Sequence, residues 1–143
     1  MAQHAPDADL RVVRTPVGSR DGYECTIDLL RARDRPTAVF AATDDLAFDA
    51  LRALTDLGLD AHDVSVVGYD NTPLAAHPRL SLTSVDQAGE ELGDQAVRLL
   101  IERLEGRTRP KHRMTKPKLF ARGSTTTPTP EALADAQPAP TTR

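Results

Sequence analysis

Short apolar runs alternate with segments of helical periodicity along most of the chain. The runs that predict strands are residues 10–14, 37–42, 64–68, 80–85 and 119–122. Residues 37–42 (TAVFAA) are a nearly continuous apolar run, which is typical of a strand covered on both faces. We therefore expect this segment to be a central strand of the sheet.

Three segments show apolar residues at the spacing of an amphipathic helix, namely residues 21–32, 45–57 and 88–105. The second has the clearest ends, because Thr43 or Asp44 can cap its N-terminus and Gly58 stands just past its last turn. Ser19 or Asp21 can cap the first. Strands that alternate with helices in this way predict an α/β fold, a parallel sheet flanked by helices.

The longest predicted helix, residues 88–105, has one charged face and one apolar side, and Gly106 is its terminator. Its apolar side chains are Leu92, Ala96, Leu99, Leu100 and Leu104. At about 1.5 to 3 kcal/mol for each large side chain, leaving that side uncovered costs as much as the whole stability of an ordinary domain. This helix therefore needs a neighbouring element against its apolar side.

The composition changes at both ends of the 143-residue chain. Residues 126–143 hold four of the eleven prolines and only one large apolar side chain, Leu133, so we expect a disordered tail there. Residues 1–9 are likewise expected to be a disordered N-terminus. Residues 10–125 then form the single folded domain that this length allows.

Charge and composition exclude several classes of protein. The formal net charge of -3 has the wrong sign for general binding to nucleic acid. No apolar run is long enough to cross a bilayer, and the first residues do not resemble a secretory signal, so a cytoplasmic protein is expected. The single cysteine, Cys25, excludes an internal disulfide and a thiolate metal cluster.

The acidic residues around the start of the second helix allow two interpretations. Asp44, Asp45 and Asp49 could share a cation, but an acidic first turn also complements the helix dipole, and we favour the dipole. Asp44 differs from the other two because it follows a buried strand at its carboxyl end. A charged group there must meet a ligand, a helix cap or water.

No residue pattern indicates catalysis. The four histidines lack partners at zinc-ligand spacing, Cys25 has no histidine nearby in sequence, and there is no nucleophile elbow or glycine-rich phosphate loop. We expect no enzyme activity, no metal site and no cofactor.

A basic segment, residues 107–118 (RTRPKHRMTKPK), holds six Lys or Arg residues and His112. It could contact phosphate groups, but it has no aromatic residues that stack on bases. A solvated loop between a helix and an edge strand explains its composition as well, and we favour that interpretation.

Residues 35–71, RPTAVFAATDDLAFDALRALTDLGLDAHDVSVVGYDN, resemble the sensor domain of the LacI/GalR family of transcription regulators. The usual run in that family is PTAIFAANDLMALGAL, then a GL segment and DVSVVGFDD. Further down the chain, residues 82–87 (LTSVDQ) resemble LTTVRQ, residues 91–106 resemble ELGRRAVELLLERIEG, and residues 122–125 match RGST. These motifs occur in the same order between residues 35 and 125.

The resemblance implies a periplasmic-binding-protein-like sensor with two α/β subdomains and a small-molecule effector held between them. Asp44 aligns with a family Asp that accepts hydrogen bonds from effector hydroxyls or amines, and Thr43 stands where the family has Asn. Gln87 aligns with a glutamine near the effector cleft. Effector-binding residues are therefore expected at Thr43, Asp44 and Gln87, and the effector is expected to be sugar-like.

The matched motifs correspond to most of the C-terminal subdomain and to one long returning helix, residues 88–105, which in the family packs into the other subdomain. The helix-turn-helix that binds operator DNA and nearly all of the first subdomain have no counterpart in these motifs. The resemblance therefore implies that a partner covers the apolar side of residues 88–105, or that the chain is marginally stable. The resemblance implies a homodimer, or pairing with a related regulator, with helix 45–57 and the turn near Gly68 as the surfaces.

Two other functions stay open on the sequence alone. A solute-binding protein of a transporter shares the fold and the same use of Asp. A truncated remnant that only pairs with a full-length regulator would also carry these motifs.

Overall fold

A four-stranded mixed sheet with helices is the framework of this protein in the computed structural model, which describes residues 9–14 and 21–135. The helices are α1 (Asp21–Arg31), α2 (Asp44–Asp56), α3 (Gly89–Leu104) and α4 (Pro130–Asp135), and the strands are β1 (Ala38–Phe40), β2 (Ser65–Tyr69), β3 (Thr83–Asp86) and β4 (Lys118–Phe120). The strand order is β1-β2-β3-β4, in which β1, β2 and β3 are parallel and β4 is antiparallel. The predicted α/β class is confirmed, with one antiparallel strand at an edge of the sheet.

The core lies between the sheet and the pair α1 and α2. It is built from small and branched side chains, including Ile27, Ala47, Leu54, Val66 and Leu82, each at most 6% exposed. Because α2 turns a row of alanines inward, it packs closely against both α1 and β2. This arrangement fixes the start of α2 beside the ends of the parallel strands.

Both predicted ends of α2 are confirmed. The Thr43 side chain accepts a hydrogen bond from the Leu46 backbone N–H at 3.3 Å, which is an N-cap. At the other end Gly58 has φ +70°, the left-handed conformation that glycine adopts at little cost after a helix.

Two predictions about strands are wrong. Residues 10–14 form no strand in the described part of the chain, and Leu10 and Val12 are 64% and 70% exposed. With no strand beside it there, β1 is an edge strand of the described sheet and not a central one, and Phe40 is 59% exposed. An apolar run alone does not show whether another strand lies beside it. Residues 10–14 pair with no strand of the described sheet, and β1 is left at its edge as a result.

Part of the stretch 126–143, which is expected to be a disordered tail, forms a helix in the structure. Residues 130–135 form α4, the Ala132 side chain is 2% exposed, and Thr129 Oγ1 caps the helix by accepting from the Ala132 N–H at 3.2 Å. Thr129 N–H also donates to the His62 carbonyl at 3.2 Å. The Thr129 cap and the buried Ala132 methyl group support this helix within the proline-rich stretch. Residues 136–143 and the expected N-terminal tail up to residue 8 lie outside the described residues.

Helix α3 confirms the prediction of a long amphipathic helix, and none of its residues is buried. The chain returns alongside it through residues 107–117, where Lys111 pairs with Glu102 and the Thr115 hydroxyl donates to the Gln87 carbonyl at 3.4 Å. We call α3 together with residues 107–117 the arm. No helix of the described residues is long and apolar enough to cross a membrane.

Candidate functional site

Three parallel strands end at the same edge of the sheet, and each is followed by polar residues. β1 leads to Thr43 and Asp44, β2 leads to Asp70 and Asn71, and β3 leads to Gln87. In open α/β sheets this edge is where ligands bind. The parallel register brings side chains that are far apart in sequence into one cluster.

Asp44 lies at the bottom of this cluster and is completely buried. Its Oδ2 accepts hydrogen bonds from the Thr72 backbone N–H at 2.6 Å and from the Thr72 hydroxyl at 2.9 Å. Its Oδ1 accepts from the Ser84 hydroxyl at 2.6 Å. Three of the roughly four lone-pair positions of the carboxylate are thus satisfied by the chain itself, which is what makes burial of its charge tolerable.

Gly68 provides the space for that carboxylate. A Cβ atom at this position would collide with Asp44 Oδ1 and would come within 3.0 Å of Leu82 Cδ2 and 3.2 Å of Ala47 Cβ. The sequence places glycine here because helix α2, strand β3 and the carboxylate converge on the backbone of β2.

The loop after β2 is held from three sides. The Asn71 N–H donates to Ser84 Oγ at 3.0 Å, and the Arg122 guanidinium donates to Asn71 Oδ1 at 2.7 Å and to the Leu82 carbonyl at 2.6 Å. Asp70 and Asn71 have φ of 109° and 51°, so the backbone turns through a strained conformation. The bonds to Asp44, Ser84 and Arg122 hold it there.

Asp70 is the acidic group that this loop presents at the edge. It is partly buried, and Gln87 Nε2 donates to its Oδ1 at 3.1 Å. Burial raises the pKa of Asp70, and the negative charges of Asp44 and Asp45 raise it further, while the Asp44 backbone N–H acts in the opposite direction. The carboxylate is therefore a partly desolvated acceptor beside other negative charges, and its charged form is stabilised when a ligand donates a hydrogen bond to it.

The structure places the three predicted site residues in different roles. Gln87 and Thr43 are partly buried at the sheet edge, and Thr43 Oγ1 is engaged as the helix cap. Asp44 lies beneath them, and its carboxylate oxygens accept hydrogen bonds from within the protein.

Among the described residues no group of three or more His, Cys, Asp or Glu is arranged to hold a metal ion.

Sequence reasoning missed Asp70 as a site residue. A signal is present in the sequence, because the small and polar residues of 68–71 (GYDN) suit a turn at the carboxyl end of a strand. The contact with Gln87, 17 residues further along the chain, could not be seen from that turn alone.

Comparison with known proteins places this geometry in a family. Residues 1–125 match the model of the periplasmic binding protein-like domain. The chain is similar to the HTH-type transcriptional repressor PurR of Mannheimia succiniciproducens, with 45% identity over 85 residues, 59% of this chain and 25% of the relative. It thus spans about a quarter of the length of that curated relative.

Solved structures of LacI-family proteins are also similar to this chain. The dimeric Lac repressor with an 11-residue C-terminal deletion matches 78% of this chain and 42% of its own, with 32% identity and a TM-score of 0.71. A LacI family regulator from Enterococcus faecium with bound ribose matches 78% of this chain and 42% of its own, with 31% identity and a TM-score of 0.68. The resemblance to LacI/GalR sensor domains is confirmed, and the chain belongs to the periplasmic binding protein-like domain family.

Proposed function

We propose that this chain is the effector-sensing and dimerisation part of a LacI/GalR-type transcriptional regulator. In this proposal a neutral, sugar-like molecule binds at the edge formed by Thr43, Asp70 and Gln87. One observation carries it: Asp70 is presented at the carboxyl edge of the sheet, paired with Gln87, on a loop that the buried Asp44 holds in place.

The chemistry of the edge suits a ligand with hydroxyl groups. The Asp70 carboxylate accepts hydrogen bonds. The side-chain Oε1 of Gln87 is a second acceptor, because the Nε2 of the same amide donates to Asp70. Thr43 Oγ1 accepts from the backbone of α2, which leaves its hydroxyl hydrogen to donate. Two acceptors and a donor on one edge match the alternating donors and acceptors of a sugar, and the ribose bound to a structural relative supports this choice.

Asp44 contributes indirectly in this proposal. Its carboxylate is fully buried and bonds to Thr72 and Ser84, so it positions the loop that presents Asp70. Direct contact between Asp44 and the effector stays a prediction from the family resemblance.

The exposed face of α2 and the turn near Gly68 would form the self-association surface of a homodimer. Operator DNA would be contacted only through a helix-turn-helix outside the matched motifs, in the cytoplasm, and the chain would perform no catalysis. The transcriptional regulators among the relatives favour this function over a solute-binding protein of a transporter.

Ligand binding can be tested by titrating ribose, and then other neutral sugars, into the isotope-labelled chain while following its amide resonances. We expect the largest shifts at Gln87, Asn71 and Thr72. Asp70→Asn removes a charged acceptor and should weaken binding by about 10-fold or more, the equivalent of one charge-assisted hydrogen bond.

Asp28→Asn is the matched control, because Asp28 is an exposed acidic residue on α1. It should leave the affinity unchanged. Equal loss of affinity in both variants, or shifts that map to the arm and not to the sheet edge, would contradict the proposed site.

A further inference from the structure

One arginine near the end of the sheet reaches the loop that presents Asp70. Arg122 lies two residues past the end of β4 and is half-buried. Its Nη2 donates to Asn71 Oδ1 at 2.7 Å, and its Nη1 donates to the Leu82 carbonyl at 2.6 Å. Because Asn71 stands 51 residues earlier in the chain, this guanidinium joins the last strand to the loop after β2.

The guanidinium of Arg122 has little freedom to move. The backbone N–H of Arg122 donates to Thr83 Oγ1 at 2.8 Å, and the Thr83 hydroxyl donates to the Arg122 carbonyl at 3.2 Å. The guanidinium also lies over the Phe120 ring, with 5.5 Å between Cζ and the ring centroid. Its planar fork of donors can span two oxygen atoms at once. Arg122 is therefore a fixed point to which the loop can be attached.

The loop needs such a fixed point because two consecutive residues have a left-handed backbone. Asp70 and Asn71 have φ of 109° and 51°, a region that residues other than glycine adopt at a cost in free energy. The Asn71 N–H is held by Ser84 Oγ, and the Thr72 N–H is held by Asp44 Oδ2. These bonds fix the backbone from Asn71 onward, and Arg122 fixes the Asn71 side chain.

We propose that Arg122 is a positioning residue for the effector, which it assists through Asn71 without touching the ligand. The inference rests on the proposed function, because it assigns to Arg122 a share of the affinity of that site. The two neighbouring side chains are bonded in different places, Asp70 to Gln87 at 3.1 Å and Asn71 to Arg122. Release of the Asn71 side chain lets the left-handed backbone relax, and the Asp70 carboxylate then moves away from the sheet edge.

The shape of the loop is tested in the ligand-free chain, so this result does not depend on the identity of the effector. The three-bond coupling between the amide and α protons reports φ. In Arg122→Ala we expect the couplings of Asp70 and Asn71 to move away from those of a left-handed backbone. Arg107→Ala is the matched control, because Arg107 also donates to two backbone carbonyls but lies in the arm. It should leave both couplings unchanged.

Titration with ribose, followed by amide resonances, measures the share of Arg122 in the affinity. Arg122→Ala and Asn71→Ala should each weaken binding by about 10-fold. The double variant should lose about the same factor, because one residue acts through the other. Arg122→Lys keeps the charge but cannot span two oxygens, so it should restore little of the affinity. Arg107→Ala should bind as the unaltered chain does, and circular dichroism confirms that each variant is folded.

Four results would overturn the proposal. Unchanged couplings in Arg122→Ala would show that the loop keeps its shape without the guanidinium. A double variant that loses the product of the single effects, about 100-fold, would show that Arg122 and Asn71 act independently. Full recovery in Arg122→Lys would show that only the charge matters, and an equal loss in Arg107→Ala would show a general loss of stability.

Failure of the proposed function gives a different result. An unaltered chain that binds neither ribose nor another neutral sugar contradicts the sugar site itself. The couplings of Asp70 and Asn71 in the ligand-free Arg122→Ala chain then still decide whether Arg122 positions the loop.

Discussion

Helices α2 and α3 are both amphipathic, yet one is embedded in the protein and the other is not. In α2, Ala47, Ala50, Ala53 and Leu54 are at most 3% exposed, because β2 and α1 lie against them. In α3 no residue is buried. The comparison shows that an amphipathic sequence specifies a helix and its apolar face, whereas burial needs a neighbouring element to cover that face.

The region around α2 and the arm also differ in how their charged side chains are bonded. The carboxylate of Asp44 accepts three hydrogen bonds in a fully buried site beside the sheet. The carboxylate of Glu102 in the arm forms ion pairs with Lys111 and Arg107, and 37% of the Glu102 side chain is exposed. Buried hydrogen bonds to charge stabilise a fold far more than exposed ion pairs do.

The largest expected contrast is in amide hydrogen exchange at low protein concentration. Amides in the middle of α2 should exchange only through global unfolding, while those of α3 open locally, so we expect protection to differ by about 1,000-fold or more. Exchange measured by mass spectrometry checks this. Similar protection in both helices at low concentration would mean that the arm is covered within one chain.

Removing the buried Asp44 carboxylate should cause a large loss of stability in the packed region around α2. Asp44→Ala leaves the donors of Thr72 and Ser84 without their acceptor and should lower the free energy of unfolding by about 3 kcal/mol or more. Urea unfolding measures the loss. Asp45→Ala, an exposed neighbour at the same helix end, is the control and should cost less than about 1 kcal/mol.

Two glycines allow the same substitution to be compared in both regions. Gly68→Ala pushes a methyl group against Asp44 and should cost about 2 to 3 kcal/mol, because the contacts with Leu82 and Ala47 are also tight. Gly93→Ala meets open space in α3 and should stabilise that helix by up to about 1 kcal/mol. Thermal unfolding followed by circular dichroism distinguishes the two, and a stability loss in both variants would refute the comparison.

The smallest effects should appear in the dependence of stability on pH, with opposite signs in the two regions. The pKa of Asp70 is raised by burial and by the nearby Asp44 and Asp45 carboxylates. The folded chain therefore binds this proton more tightly than the unfolded one, and acid favours folding as the pH falls through the raised value towards 3.8. Asp70→Asn should stabilise the chain at neutral pH by about 0.5 kcal/mol or less.

Glu102 behaves in the opposite way, since its hydrogen bond from Lys111 lowers its pKa below the usual 4.5. Its contribution is complete above that value and is lost as the pH falls through the lowered pKa of the folded chain. Urea unfolding of Glu102→Gln and Asp70→Asn between pH 3 and 7 checks both signs. Acid curves of the same shape for both variants would contradict these assignments.

Much of the fold was predictable because the signals were local. The Thr43 cap, the Gly58 terminator and the apolar spacing of α2 and α3 all act within a few residues, and the structure confirms them. The edge position of β1 and the ordering of α4 were not predictable, because they depend on contacts between distant segments, such as that of Thr129 with His62.

The candidate site was only partly visible for the same reason. The pattern and the resemblance singled out Thr43, Asp44 and Gln87, but neither could show that Asp44 is fully buried or that Gln87 bonds to Asp70. Burial of Asp44 depends on the missing Cβ of Gly68 and on the hydroxyl of Ser84, 40 residues away. The spacing of residues along the chain does not show contacts between residues so far apart.

The bonds of Asp44 also have a consequence for the order of folding. They join α2 to residues 28 and 40 positions further along the chain, so they form only after β2 and β3 have aligned beside that helix. Contacts between segments so far apart in sequence form late and slowly. The loop that presents Asp70 should therefore acquire its shape near the end of folding, and a ligand held there should slow unfolding while leaving the folding rate almost unchanged.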